Sequence, residues 1–131
     1  MHADQNELLT RIGPGTACGA LMRQYWQPAA LLDELDPRLD ARMALRPVKA
    51  VRLLGQDLVL FSDAHSFGLL DRDCPHRGAD LAIGRHEGDG LRCPFHGWKF
   101  AVDGSCLETP AEPAGSLLCT RVRQRSYPVC V

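Results

Sequence analysis

At 131 residues and 45% hydrophobic composition the chain can bury one core, and a single domain is the expected count. A net charge of −1 removes the electrostatic basis for binding nucleic acid or a membrane surface. No apolar run approaches the roughly 18 residues a membrane helix requires, and residues 1–7 lack a basic n-region and an apolar h-region, so a cytoplasmic protein is expected.

In chain order, Thr16 is placed to cap a short helix running to about Tyr25, beyond which Pro28 discourages continuation. Tyr25 and Trp26 are expected to anchor the core rather than stack on a ligand. Residues 33–43 are polar, contain Pro37 and lack periodicity, so they read as a connecting loop. Residues 48–54 and 57–61 are rich in Val and Leu on either side of Gly55-Gln56, a hairpin signal, and residues 66–70 continue as a third strand. Residues 83–90 read as a Gly-rich polar turn with His86 solvated, as are His2 and His65. Residues 98–102 and 105–107 flank Asp103-Gly104, whose two central positions both tolerate positive φ, a strong hairpin signal. Residues 109–115 hold Pro110 and Pro113 and form a loop. Arg121, Arg123 and Arg125 alternate along an expected strand; a solvated face is favoured over a dock for an electron donor.

Between these strands lie two short loops of matching chemistry, Cys74-Pro75-His76-Arg77-Gly78 and Cys93-Pro94-Phe95-His96-Gly97-Trp98. Together they read C-x-H-x16-C-x-x-H, two thiolates and two imidazoles. A [2Fe–2S] cluster usually takes four thiolates, but in the Rieske variant two histidines replace two cysteines on one iron and raise its potential. Cys74 and Cys93 would take one iron, His76 and His96 the other. A structural zinc module is the rival, since two Cys and two His make a closed tetrahedral site. Zinc fingers, however, pair like with like, whereas each loop here is mixed. Asp71 and Asp73, beside the first loop, either tune such a centre or sit in a solvated acidic loop. Cys18, Cys106, Cys119 and Cys130 have no ligand-like neighbours and read as thiols.

With these loops, the chain resembles the N-terminal Rieske [2Fe–2S] domain of aromatic-ring-hydroxylating (Rieske non-haem iron) oxygenases. The segments at residues 6–16 and Arg23-Gln24-Tyr25-Trp26-Gln27-Pro28 look most like the phthalate 4,5-dioxygenase branch of oxygenase subunits. The resemblance implies a mainly β fold, a Rieske-type antiparallel β-sandwich with two cluster-binding loops and a short N-terminal helical arm. Residues 1–43 would form that arm and the connecting loop, and residues 44–131 the Rieske domain, with its C-terminal end cut short. The implied ligands are Cys74, His76, Cys93 and His96. The implied partners are an electron-donating flavin/iron–sulfur reductase and neighbouring oxygenase subunits, with mononuclear Fe(II) only in a catalytic domain absent from this sequence.

Respiratory and photosynthetic Rieske proteins carry an extra cysteine in each loop, which form a disulfide, and a serine hydrogen-bonded to sulfide. Ala79, Phe95 and Trp98 stand at those places here. Fewer hydrogen bonds to sulfur stabilise the reduced state less, so a potential in the lower half of the roughly −150 to +300 mV Rieske range is expected. The leading expectation is thus the electron-transfer domain of an oxygenase, and the alternative is a free-standing Rieske ferredoxin. On either reading this chain alone carries an electron and does not activate O₂.

Overall fold

The computed structural model describes residues 2–35, 47–63 and 65–131. Part of the expected loop at 33–43 lies outside them; its described start is a 3-10 turn, Leu32–Glu34. Among the described residues no helix is long and apolar enough to cross a membrane.

Two short helices come first, α1 (Ala3–Thr10) and α2 (Ala17–Met22). The first was not anticipated: it buries no residue and shows no apolar face, so periodicity gives no sign of it. Thr16 caps α2 as expected, its hydroxyl accepting from the Gly19 amide at 3.1 Å. The α-helix stops at Met22 rather than Tyr25, the chain continuing as tighter turns in which the Gln24 and Tyr25 amides donate to the Leu21 and Met22 carbonyls. The Arg23 guanidinium donates to the carbonyls of Ile12 and Leu54 and to Gln56 Oε1. These bonds pin the arm to the β region.

Tyr25 and Trp26 do not anchor the core, contrary to expectation: they are 65% and 68% exposed. The sheet face beside them is already covered, since Leu35, Ala29 and Ala30 pack on Leu58, Leu60 and Leu69. The two rings instead line an open apolar groove of about 390 Å³ with Leu31, Leu32 and Val129.

The first sheet runs in the order β1 (Val48–Leu53), β2 (Gln56–Ser62), β3 (Phe67–Asp71) and β8 (Ser126–Tyr127), all antiparallel. Its opening hairpin forms where expected, with Leu54-Gly55 as the two turn residues rather than Gly55-Gln56. Both have positive φ, 47° and 76°, the conformation a two-residue turn needs to match strand twist. The second sheet contains β4 (Arg85–Glu87), β5 (Gly90–Arg92), β6 (Lys99–Phe100) and β7 (Cys106–Glu108). The main core cluster joins Val59, Phe61 and Leu70 from the first sheet to Leu91 and Phe100 from the second, with Leu81 and Trp98. Side-chain alternation sends Leu58, Leu60 and Leu69 to the opposite face, into a second cluster. The result is the expected antiparallel β-sandwich.

Local expectations fail in two polar stretches, and a third holds with a different turn. Residues 83–90 are not simply a turn: β4 and β5 pair there, Arg85 with Arg92 and His86 with Leu91. His86 is not a solvated loop residue, because its Nε2 meets the Ser62 carbonyl at 2.5 Å and links the two sheets. The hairpin expected around Asp103-Gly104 forms between β6 and β7, but only Gly104 is left-handed, at φ 82°, and the register shifts at Lys99/Phe100, so a bulged turn replaces the two-residue Asp-Gly turn. The three arginines share no strand. Arg121 ends α3 (Leu118–Arg121), Arg123 sits in an isolated bridge with Ser105, and Arg125 precedes β8.

Candidate metal centre

The two predicted ligand loops have the same backbone. In the first, the Cys74 amide donates to the Ala79 carbonyl at 2.9 Å and the Gly78 amide to the Cys74 carbonyl at 2.8 Å. In the second, Cys93 donates to Trp98 at 2.8 Å and Gly97 to Cys93 at 3.2 Å. Each loop closes on a glycine of positive φ, 67° at Gly78 and 75° at Gly97, a conformation that strains other residues. The second loop joins β5 to β6, as a loop at the tip of a strand pair. The first closes only on an isolated bridge, Asp73 to Asp80, and leads into the 3-10 turn Leu81–Ile83.

The four predicted residues fall into two pairs, the cysteines in one core cluster and the histidines ring to ring. Cys74 and Cys93 are both buried in the main core cluster. Burial pushes the Cys74 thiol up to about 11, while the backbone amides of His76 and Arg77 aimed at it work the other way. His76 and His96 are exposed, their ring centroids 4.6 Å apart and edge to face. Trp98 stacks on His76 at 4.4 Å and 8°, and Phe95 tilts over His96 at 3.9 Å. The His76 pKa is lowered first by desolvation and then by the charges of His96 and Arg77, which favours the neutral imidazole a metal requires. Among the described residues, no three Cys, His, Asp or Glu side chains meet around one point.

An arginine–carboxylate clamp braces each loop. Arg72 forks onto Asp80 across the base of the first, at 2.8 and 2.5 Å, while Asp80 also accepts from the Ala82 amide. Arg92 donates to the Gly97 carbonyl at 2.7 Å, next to His96, and to both oxygens of Glu87 and one of Glu108. Those contacts hold the Glu87 carboxyl far below its ordinary range, with Arg92 the first cause and Arg85 and Lys99 following. Lys99, 6% exposed at its side chain, adds ion pairs to Glu87, Asp89 and Glu108. Buried Gln124 donates to the Asp71 and Asp73 carbonyls at 2.7 and 2.8 Å, fixing the approach to Cys74. None of these supports was foreseen. The available signal was an arginine two residues before Cys74 and one immediately before Cys93.

The Asp71 carboxylate accepts from the Tyr127 hydroxyl at 2.8 Å, and Asp73 contributes its carbonyl to Gln124. Cys106 and Cys119 are free, half-buried thiols as expected, and their sulfurs lie 3.0 Å apart.

Residues 26–128 match the family model described as the Rieske [2Fe-2S] domain. The chain is 46% identical to the 5,5'-dehydrodivanillate O-demethylase oxygenase subunit of Sphingobium sp., an alignment covering 98% of this chain and 30% of the relative. It is 42% identical to the phthalate 4,5-dioxygenase oxygenase subunit of Pseudomonas putida, over 95% of this chain and 27% of that protein. Among solved structures, NdmA of Pseudomonas putida CBB5 superposes with a TM-score of 0.69 at 27% identity, covering 83% of this chain and 32% of NdmA. The chain thus spans about a third or less of the proteins it matches. Kinship with the phthalate 4,5-dioxygenase group of oxygenase subunits is borne out at the level of this domain. A mixed Cys/His site on two matching loops of a β-sandwich, and a family match over most of its length, establish that the chain belongs to the Rieske [2Fe–2S] domain family.

Proposed function

We propose that Cys74, His76, Cys93 and His96 ligate the [2Fe–2S] cluster, the cysteines on one iron and the histidines on the other. We propose further that the domain carries single electrons from a reductase to the mononuclear iron of an oxygenase. The observation that carries this reading is an asymmetry on two congruent loops: their cysteines are buried in one core cluster and their histidines are exposed, ring against ring. When bound, the cluster supplies reversible one-electron transfer.

The protein's own residues set the conditions for that exchange. Leu81, Leu91 and Phe100, with the body of Trp98, exclude water from the cysteine side. Trp98 and Phe95 fix the imidazole planes, leaving the ring edges at the surface where a donor or acceptor can approach. A solvent-facing imidazole can hold or release its outer proton, so the potential should fall with rising pH. Ala79 and Phe95 bring no polar hydrogen and Trp98 no hydroxyl, which supports a low-potential centre.

Anaerobic reconstitution with iron and sulfide tests the assignment. The expected product carries two irons and two sulfides per chain, with a Rieske-type EPR spectrum after reduction. Cys74→Ser and His96→Ala should each abolish that spectrum while leaving the fold recognisable by circular dichroism. One zinc and no iron per natively purified chain would overturn the reading. A midpoint near the top of the Rieske range would overturn the low-potential assignment alone.

A further inference from the structure

Outside the ligand set, two cysteines meet. Cys106 lies on β7 in register with Phe100, and Cys119 sits in α3; their sulfurs are 3.0 Å apart across a sequence separation of 13. That gap is about 1 Å longer than a disulfide bond. Both are free, half-buried thiols, and Cys106 packs against the core that holds Cys74, Cys93 and Trp98. The loop between them leans on the second ligand loop: a Cβ built on Gly97 would lie 3.4 Å from Pro110 Cγ.

We propose that Cys106 and Cys119 form a reversible disulfide, made by exchange with a small-molecule disulfide of the glutathione class, that ties α3 and residues 109–117 to the sheet carrying the second ligand loop. The bond differs in place from one joining the two ligand loops, since Ala79 and Phe95 occupy those positions. In the first step the Cys119 thiolate attacks glutathione disulfide, forming a mixed disulfide and releasing one glutathione. In the second, the Cys106 sulfur displaces the other glutathione and closes the protein disulfide. The two thiol protons end on the two glutathiones, and the two electrons leaving the cysteines reduce the glutathione disulfide. Closing the ring restricts the loop that abuts Gly97.

Both cysteines fall in one tryptic peptide, residues 100–121, so closure is read directly as the loss of two hydrogens. The cluster-loaded protein is equilibrated anaerobically across ratios of oxidised to reduced glutathione, alkylated with iodoacetamide, digested and weighed. The expected peptide becomes two hydrogens lighter and refractory to alkylation, reverts with dithiothreitol, and does so while the visible absorption of the cluster persists. In Cys119→Ser the peptide should keep an alkylatable or glutathionylated Cys106 and never close, and Cys106→Ser should behave correspondingly at Cys119. A wild-type peptide that stays doubly alkylated or doubly glutathionylated at every ratio overturns the proposal. So does closure that follows only after the cluster absorption is lost.

Discussion

Arg92 offers the sharpest test of how the second ligand loop is held. Its side chain is 15% exposed and donates at 2.6–2.9 Å to Glu87, Glu108 and the Gly97 carbonyl. Replacement by Gln removes the charge and leaves one amide where a five-donor fork stood. Hydrogen bonds to charged partners are worth about 1.5–3 kcal/mol each, but Glu108 is half exposed and Lys99 still neutralises Glu87, so the smaller end applies. A net loss of about 3 kcal/mol follows, which for a domain of this size is a fall in Tm of roughly 10 °C. Thermal unfolding followed by circular dichroism gives that number. EPR of the reconstituted variant should show broadened g-values, because the carbonyl beside His96 has lost its anchor. Arg92→Lys restores the charge without the fork and should recover less than half of the loss. A Tm within about 3 °C of wild type together with an unaltered spectrum would refute the bracing role.

Gln124→Leu should cost about 1–2 kcal/mol, since it removes two part-buried hydrogen bonds to the Asp71 and Asp73 carbonyls; urea unfolding measures it. Gly104→Ala should cost at least about 2 kcal/mol, because φ is +82° and the new Cβ would stand 2.2 Å from the Gln124 carbonyl oxygen. The pH dependence has a definite sign. Glu87, Asp89 and Glu108 all have folded pKa values below their unfolded ones, held there chiefly by Arg92 for the two glutamates and by Lys99 for Asp89. Their contribution is complete above the ordinary carboxylate range near pH 4 and is lost as pH falls through the folded values. Tm should therefore be flat from pH 7 to about 5 and drop below about 4, less steeply in Arg92→Gln.

What was legible in the sequence was chemistry with a fixed spacing. Two cysteines and two histidines stood out in matching loops, and the fold pairs the cysteines in one core cluster and the histidines ring to ring. The β1–β2 hairpin and the Thr16 cap were also readable, because each rests on bonds between near neighbours in the chain. Illegible parts depended on distant partners. β4 is three polar residues, stabilised by β5 and by the reach of His86 to Ser62, and no local pattern announces either. Tyr25 and Trp26 carry an aromatic signal that normally means burial, but the face available to them was already taken. Gln124 supports the first ligand loop from about fifty residues away in sequence, and a lone glutamine has no period to betray it.

The hairpin turn at Leu54-Gly55 has a consequence for folding. Residues Leu58-Val59-Leu60-Phe61 are buried on both sides of the first sheet, so this stretch is apolar at every position. Alternation therefore cannot specify its pairing: a slip by one residue would exchange one set of large apolar side chains for another, with little change in hydrophobic burial. The information must come from the end of the strand. A turn that holds two consecutive left-handed residues, one of them a leucine, admits a single alignment of β1 with β2. The alignment of β1 on the strand that contributes to both core clusters is thus written in two residues, Leu54 and Gly55.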